Sequence, residues 1–241
     1  MYINNRMMFI YAQSTATQFI RNLPECNLTG ILLRKSGVST AAKTIADITD
    51  RIVITANGEQ RVNVLLRNML YINKIEYGMT EENDGIDFSY SVFLPIDLLV
   101  TENTNATIEM QSLLSAETSN NIEIVGIQAD ENSASVNAFI LEQSKTHNGQ
   151  NVMSLDNSYA IYLLPATPAS VSQVNIRDTE DKTLISGSYK MLNLSCLIFS
   201  QATSSITGTL VNHSSQPQKV LLDMTNTDSV QYYIINIGYK S

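Results

Sequence analysis

The segments RIVITANGEQRVNV, at residues 51–64, and QVNIRDTEDKTLI, at residues 173–185, carry one hydrophobic pattern 122 residues apart. A fixed internal period constrains the fold of a chain more than any single motif does. At that offset Ile52 overlies Val174, Ile54 overlies Ile176, Glu59 overlies Asp181, Met69 overlies Met191, Leu70 overlies Leu192 and Ile75 overlies Leu197, without a gap. In the first copy Asn57-Gly58 sits between two alternating runs. That pair is the one best suited to the positive φ values of a type I′ turn, so the segment reads as a β-hairpin. The second copy puts Asp178-Thr179-Glu180-Asp181 at the same turn, and each hairpin is followed by an apolar segment, MLYI or MLNL. A second match, offset by 94, sets SVNAFIL at 135–141 on SVQYYII at 229–235 as the last strand of each half, so the second half is expected to carry shorter loops.

The remainder of the chain reads in the same style. Strands are expected at 28–33, 72–77, 86–94, 106–114, 122–128 and 135–141 in the first half, and at 159–164, 174–176, 183–185, 192–199, 205–211, 219–224 and 230–237 in the second. Polar stretches rich in Asn, Ser and Thr separate them, residues that build turns through local side-chain hydrogen bonds. Ser39 to Ala46, capped by Ser39 or Thr40, reads as a short helix. Residues 1–24 lack clean periodicity, end at the Leu23-Pro24 break and read as an N-terminal arm. The almost wholly polar run QSKTHNGQNVMSLDNS at 143–158 marks a boundary. The expected organisation is therefore an arm over 1–24, a first β-domain over 25–145 and a second over 146–241.

Composition narrows what such a chain does. Its 15 Lys and Arg against 23 Asp and Glu give a formal charge of −8, which repels phosphate backbones and anionic membrane surfaces, so no direct nucleic-acid binding is expected. Cys26 and Cys196 are too few for a disulfide framework or a Cys-rich zinc site. No 18-residue apolar run spans a bilayer, and Met7 to Ala12 is shorter than a signal-peptide core.

Catalytic constellations are missing as well. The chain has two histidines, His147 in THNGQ and His213 in VNHSS, and both read as solvated loop residues. No G-x-S-x-G elbow, H-E-x-x-H motif, Walker loop or dinucleotide fingerprint follows a strand, so no catalytic, cofactor-binding or metal-binding residue is assigned and no cofactor is expected. The acidic clusters at 81–87 and 178–181 offer closely spaced carboxylates of the kind that hold calcium, but neither has EF-hand spacing and both read as solvated turns. With no Trp, a sugar-stacking platform would fall to Tyr2, Tyr162, Tyr189, Tyr232 and Tyr233. A carbohydrate- or receptor-binding sandwich therefore stands as the competing class. It requires those rings on one exposed face.

The repeated hairpins, the MLYI and MLNL segments behind them and the strands SVNAFIL and SVQYYII resemble the double jelly-roll major capsid proteins of tailless, membrane-containing icosahedral bacteriophages, the lineage that includes adenovirus hexon. The resemblance covers about residues 25–241 and lies in architecture rather than in a signature motif. It implies an all-β chain of two tandem eight-stranded jelly-roll barrels with a short N-terminal arm. It also implies a structural, non-enzymatic role in the virion, with assembly in the host cytoplasm. Three copies would form a pseudo-hexameric capsomer, a homotrimer that meets neighbouring capsomers, and the arm would reach an internal membrane or minor capsid proteins. The alternative on the same scaffold is a minor vertex or spike protein. The chain is short for the family, which implies short loops and a low capsomer.

Overall fold

Asn57 and Gly58 adopt φ values of 52° and 78°, the left-handed pair that a type I′ turn requires, and the hairpin expected there forms. The structure is a computed structural model of the 241-residue chain and describes residues 6–14, 18–38, 44–79, 82–83, 87–111, 121–129, 138–201 and 206–239. It divides into two units. The first runs to Phe139 apart from Lys74–Gly78, and the second comprises Lys74–Gly78 and the chain from Ile140.

The first unit contains β1 (Arg6–Ser14), β2 (Gln18–Asn22), β3 (Cys26–Val38), β4 (Arg51–Ala56), β5 (Glu59–Leu65), α1 (Leu66–Tyr77), β6 (Glu82–Asn83), β7 (Asp87–Leu94), β8 (Leu98–Val100), β9 (Ala106–Gln111) and β10 (Asn121–Gln128). One sheet runs β1-β10-β3-β7, with the short β6 on β7 and β8 on β3. The other strands run β5-β4-β9-β2. Strand alternation sets the packing: in β4 every second residue, Ile52, Ile54 and Ala56, is buried, and Val62 and Val64 of β5 meet them in register. With Ile31 and Leu33 of β3, Val92 of β7 and Ile108 of β9 they form the core, each such side chain contributing about 1.5–3 kcal/mol through burial.

The second unit contains β11 (Ala138–His147), β12 (Gln150–Pro165), β13 (Val171–Asp178), β14 (Thr183–Gly187), α2 (Tyr189–Phe199), β15 (Thr209–Asn212), β16 (Gln218–Asn226) and β17 (Val230–Tyr239). Its strand order repeats that of the first. β12 is one long strand that serves both sheets: residues 150–155 pair with β16, and residues 160–165 pair with β17, where 160–163 also take β15. The pairing shifts register on either side of Ser158, and Asn157 has a φ of 51°, a bulge of the kind by which a strand turns a corner from one sheet to the other. The sheets are thus β14-β13-β16-β12 and β15-β12-β17-β11. Numbering the main strands of each unit in chain order gives first–eighth–third–sixth for one sheet and second–seventh–fourth–fifth for the other, in both units. That is the jelly-roll winding.

The 122-residue period holds for hairpin and helix alike: β4, β5 and α1 are followed at that spacing by β13, β14 and α2. The stretches 72–77 and 192–199, expected as strands, are helical. In α1, Leu66, Met69, Leu70 and Asn73 fall at i, i+3, i+4 and i+7 and are all buried, a helical stripe that a short apolar run conceals when read as a strand. α2 starts at Ser188, whose hydroxyl accepts from the Met191 N–H at 3.3 Å.

Three other expectations change. The arm over 1–24 is, from Arg6, two paired strands: β1 lies on β10 and β2 on β9. Leu23-Pro24 is a corner between β2 and β3, the place that the bulge of β12 takes in the second unit. The polar run 143–158, expected to mark the boundary, is the end of β11, a turn at Asn148-Gly149 and the start of β12, polar because much of it is exposed strand; the units divide at Phe139/Ile140. The described part of SVNAFIL, 138–141, lies in β11, whose neighbour is β17, so the match offset by 94 falls on adjacent strands; among the described residues, the strand that closes the winding of the first unit is β10. The helix expected over 39–46 lies mostly outside the described residues, which show one 3-10 turn, Ile45–Asp47, where the Thr44 N–H donates to Asp47 Oδ2 at 2.8 Å.

Candidate interaction surface

Among the described residues, the side chains singled out from the sequence are not brought together as a reactive site. His147 ends β11 and stacks on Tyr232, ring centroids 5.0 Å apart. Burial and then the Lys145 cation lower its pKa. His213 follows β15, and its Nε2 lies 3.0 Å from Ser158 Oγ, at the corner where β12 changes sheets. Burial holds the His213 imidazole down at about 4, from the ordinary 6.5. Neither histidine is the solvated loop residue that its surroundings in sequence suggest. The Ser158–His213 pair is no hydrolytic dyad, because the serine is fully buried and His213 Nδ1 has no hydrogen-bond partner among the described residues.

His213 carries a pH signature instead. The unfolded chain takes up a proton near pH 6.5 and the folded chain near 4, so the stability this residue contributes is complete above 6.5 and lost as the pH falls from 6.5 to 4. Discounted for solvent screening of a partly exposed ring, the loss is about 1–2 kcal/mol. Urea melts of wild type and His213→Gln at pH 7.5 and 4.5 check this: the difference between the two proteins is expected to shrink or reverse at the lower pH. A pH-independent difference would refute it.

The tyrosines answer the sugar-platform alternative. Tyr162, Tyr189 and Tyr232 are core residues, and Tyr233 is half-buried; Tyr2 lies outside the described residues. The acidic turn at 178–181 serves the hairpin: Asp178 Oδ1 accepts from the N–H groups of Glu180 and Lys182, each at 2.9 Å, and Asp181 pairs with Arg177. Most of the 81–87 cluster lies outside the described residues, and among the described residues no group of three or more His, Cys, Asp or Glu is placed to hold a metal ion.

The feature missed at the sequence level is α2. Its sequence, YKMLNLSCLIF, is apolar on most sides, yet only Tyr189 is buried. Met191, Leu194, Ile198 and Phe199 are exposed. Beside the helix a cavity of about 400 Å³ is lined by Ile75, Glu76, Ile185, Leu192, Phe199 and Leu210, among others. The groups facing it favour contact over turnover. Burial raises the pKa of both the Glu76 carboxyl and the Cys196 thiol, and Cys196 Sγ accepts from the Leu210 N–H at 3.4 Å. A thiol held protonated is a poor nucleophile. Cys26 is alike: its thiol donates to the Pro24 carbonyl at 3.1 Å, and burial pushes its pKa up to about 11.

No protein-family model matches the chain, and no curated protein does. Among solved structures the STIV major capsid protein aligns over 96% of this chain and 97% of its own, with a TM-score of 0.66 at 10% sequence identity. The fold is similar to that of a viral major capsid protein. A protein of an archaeal virus described by its triple jelly roll fold and turret assembly aligns over 93% of this chain and 56% of its own, at 12% identity and a TM-score of 0.35. The STIV protein is that of an archaeal virus, so the similarity found lies there, while the resemblance read from the sequence is to bacteriophage capsid proteins and hexon.

Proposed function

We propose that this chain is a capsid protein of the double jelly-roll type, a shell subunit that acts by self-assembly. The observation that carries the reading is the jelly-roll winding found twice in one chain with the same strand order. The similarity to the STIV major capsid protein over nearly the whole of both chains supports it. Two like barrels per chain and three chains per capsomer give six similar units, which tile an icosahedral shell. Lateral partners are further copies of the chain. Contact with an internal membrane or with minor capsid proteins is the part the resemblance assigns to the N-terminal segment, residues 1–24.

The test is the assembly state of the purified chain. Sedimentation at rising concentration is expected to show a species of about 80 kDa, three times 26.7 kDa, and a melting temperature that rises with concentration. A chain that stays monomeric at high concentration and melts at one temperature throughout overturns the reading.

A further inference from the structure

We propose that Lys35 and Asp50 are the reactive pair of a self-formed amide cross-link between the two sheets of the first unit. Both side chains are enclosed, Lys35 at 2% exposure and Asp50 at 0%, and the Lys35 ammonium lies 2.9 Å and 3.1 Å from the two carboxylate oxygens. A nitrogen that meets both oxygens at that range stands within about 3.5 Å of the carbon between them, the separation of a near-attack pair. The Tyr90 hydroxyl, also enclosed, donates to Oδ2 of the same carboxylate. An amine, a carboxyl carbon and a proton donor thus meet in one place closed to solvent. This chemistry is independent of the shell-subunit reading.

The step balances with no other reactant. The ammonium passes a proton to the carboxylate, and the neutral Nζ attacks Cγ. Tyr90 lends its proton to the departing oxygen and recovers one from the nitrogen. The Nζ–Cγ bond forms and the Cγ–Oδ2 bond breaks; Oδ2 leaves as water with two of the three ammonium protons, and the amide keeps the third. Two buried ions become one neutral group, which removes the desolvation cost that an enclosed ion pair carries. The fixed geometry supplies the rest, since a well-oriented pair reacts as if at an effective concentration of about 10⁵ M or more. Until the bond closes, the two groups hold each other as an ion pair. Lys219 and Asp156 offer the contrast: their charged ends are 3.5 Å apart, but the side chains are 54% and 73% exposed, so water solvates both and keeps them ionic. Lys35 lies on β3 and Asp50 just ahead of β4, so the bond would pin one sheet to the other as a disulfide does.

Intact-mass spectrometry of the full-length chain, followed until its mass no longer changes, tests the proposal. The wild type is expected to end lighter than its sequence by one water, with peptide fragmentation placing the loss between Lys35 and Asp50, while Lys35→Met stays at its full sequence mass. Tyr90→Phe is expected to close the bond about 100-fold more slowly, the size of a lost general acid. A wild type that stays at its full sequence mass overturns the proposal. So does a lost water that maps to Asp84-Gly85, where a succinimide gives the same change in mass. Closure of Tyr90→Phe at the wild-type rate overturns the part given to Tyr90. The wild-type mass decides by itself, so a variant that fails to fold does not shield the proposal.

Discussion

Replacing Asp50 with alanine is expected to destabilise the chain by about 3–5 kcal/mol, because it breaks a buried ion pair by removing one partner. Lys35 and Asp50 are both fully enclosed in the first unit, with the Lys35 ammonium 2.9 Å and 3.1 Å from the two carboxylate oxygens, and the Tyr90 hydroxyl donates to the same carboxylate. Lys35 on β3 and Tyr90 on β7 are register partners in one sheet, while Asp50 leads into β4 of the other, and its backbone carbonyl accepts from the Leu66 N–H that opens α1 at 2.9 Å. One carboxylate therefore ties two sheets and a helix. Taking the acid away removes from the ammonium a carboxylate that meets it with both oxygens, and removing Lys35 takes from the buried carboxylate the cation that it faces. The triple change Lys35→Met, Asp50→Leu, Tyr90→Phe is expected to recover much of the loss, since an apolar core of like volume often matches a buried ion pair. Urea unfolding of the single and triple variants decides the matter. A loss under about 1 kcal/mol for Asp50→Ala would mean that water reaches the pair.

The cluster was illegible in the sequence. Lys35 stands in LLRKSGV and Asp50 in ITDRI, where each looks like an ordinary strand-end charge, and only the pairing of β3 with β7 turns Lys35 inward. The hairpin at Asn57-Gly58 was legible because its turn chemistry is local, and so was the period of 122, because hairpin and helix recur at one spacing without insertion. The identity of the repeated element was not. MLYI and MLNL are too short for their period to separate strand from helix, and the longer spacing Leu66, Met69, Leu70, Asn73 is what distinguishes them. The strand β1 and the polar end of β11 escaped for the opposite reason: RMMFIYA shows no alternation, and EQSKTH is polar on both sides, so neither offers the period-2 signal of a half-buried strand. The surface of α2 could not be found by pattern at all, since an apolar helical stripe looks the same whether its own unit or a neighbour covers it.

The second large effect is expected at Gly208. It has a φ of +78°, and a Cβ built there would fall 2.3 Å from the Tyr162 hydroxyl oxygen and 2.4 Å from the ring carbon that bears it. Tyr162 cannot yield, because its side chain is wholly buried and its hydroxyl donates to the Thr207 carbonyl at 2.7 Å. Two costs therefore add in Gly208→Ala: about 1–2 kcal/mol for a side chain in the left-handed region and about 1–3 kcal/mol for overpacking against the ring. Gly58 separates them, since it has the same φ of +78° with nothing within 4 Å of its Cβ position. Gly58→Ala is expected to cost the conformational part alone, and the excess at Gly208 measures the clash. The pair Gly208→Ala/Tyr162→Phe tests the assignment further: with the hydroxyl gone the clash term is expected to fall, so the double variant loses less than the two singles together. Equal losses for Gly58→Ala and Gly208→Ala would show that the bend at 207–208 shifts to make room, and with it the packing of β15 on β12.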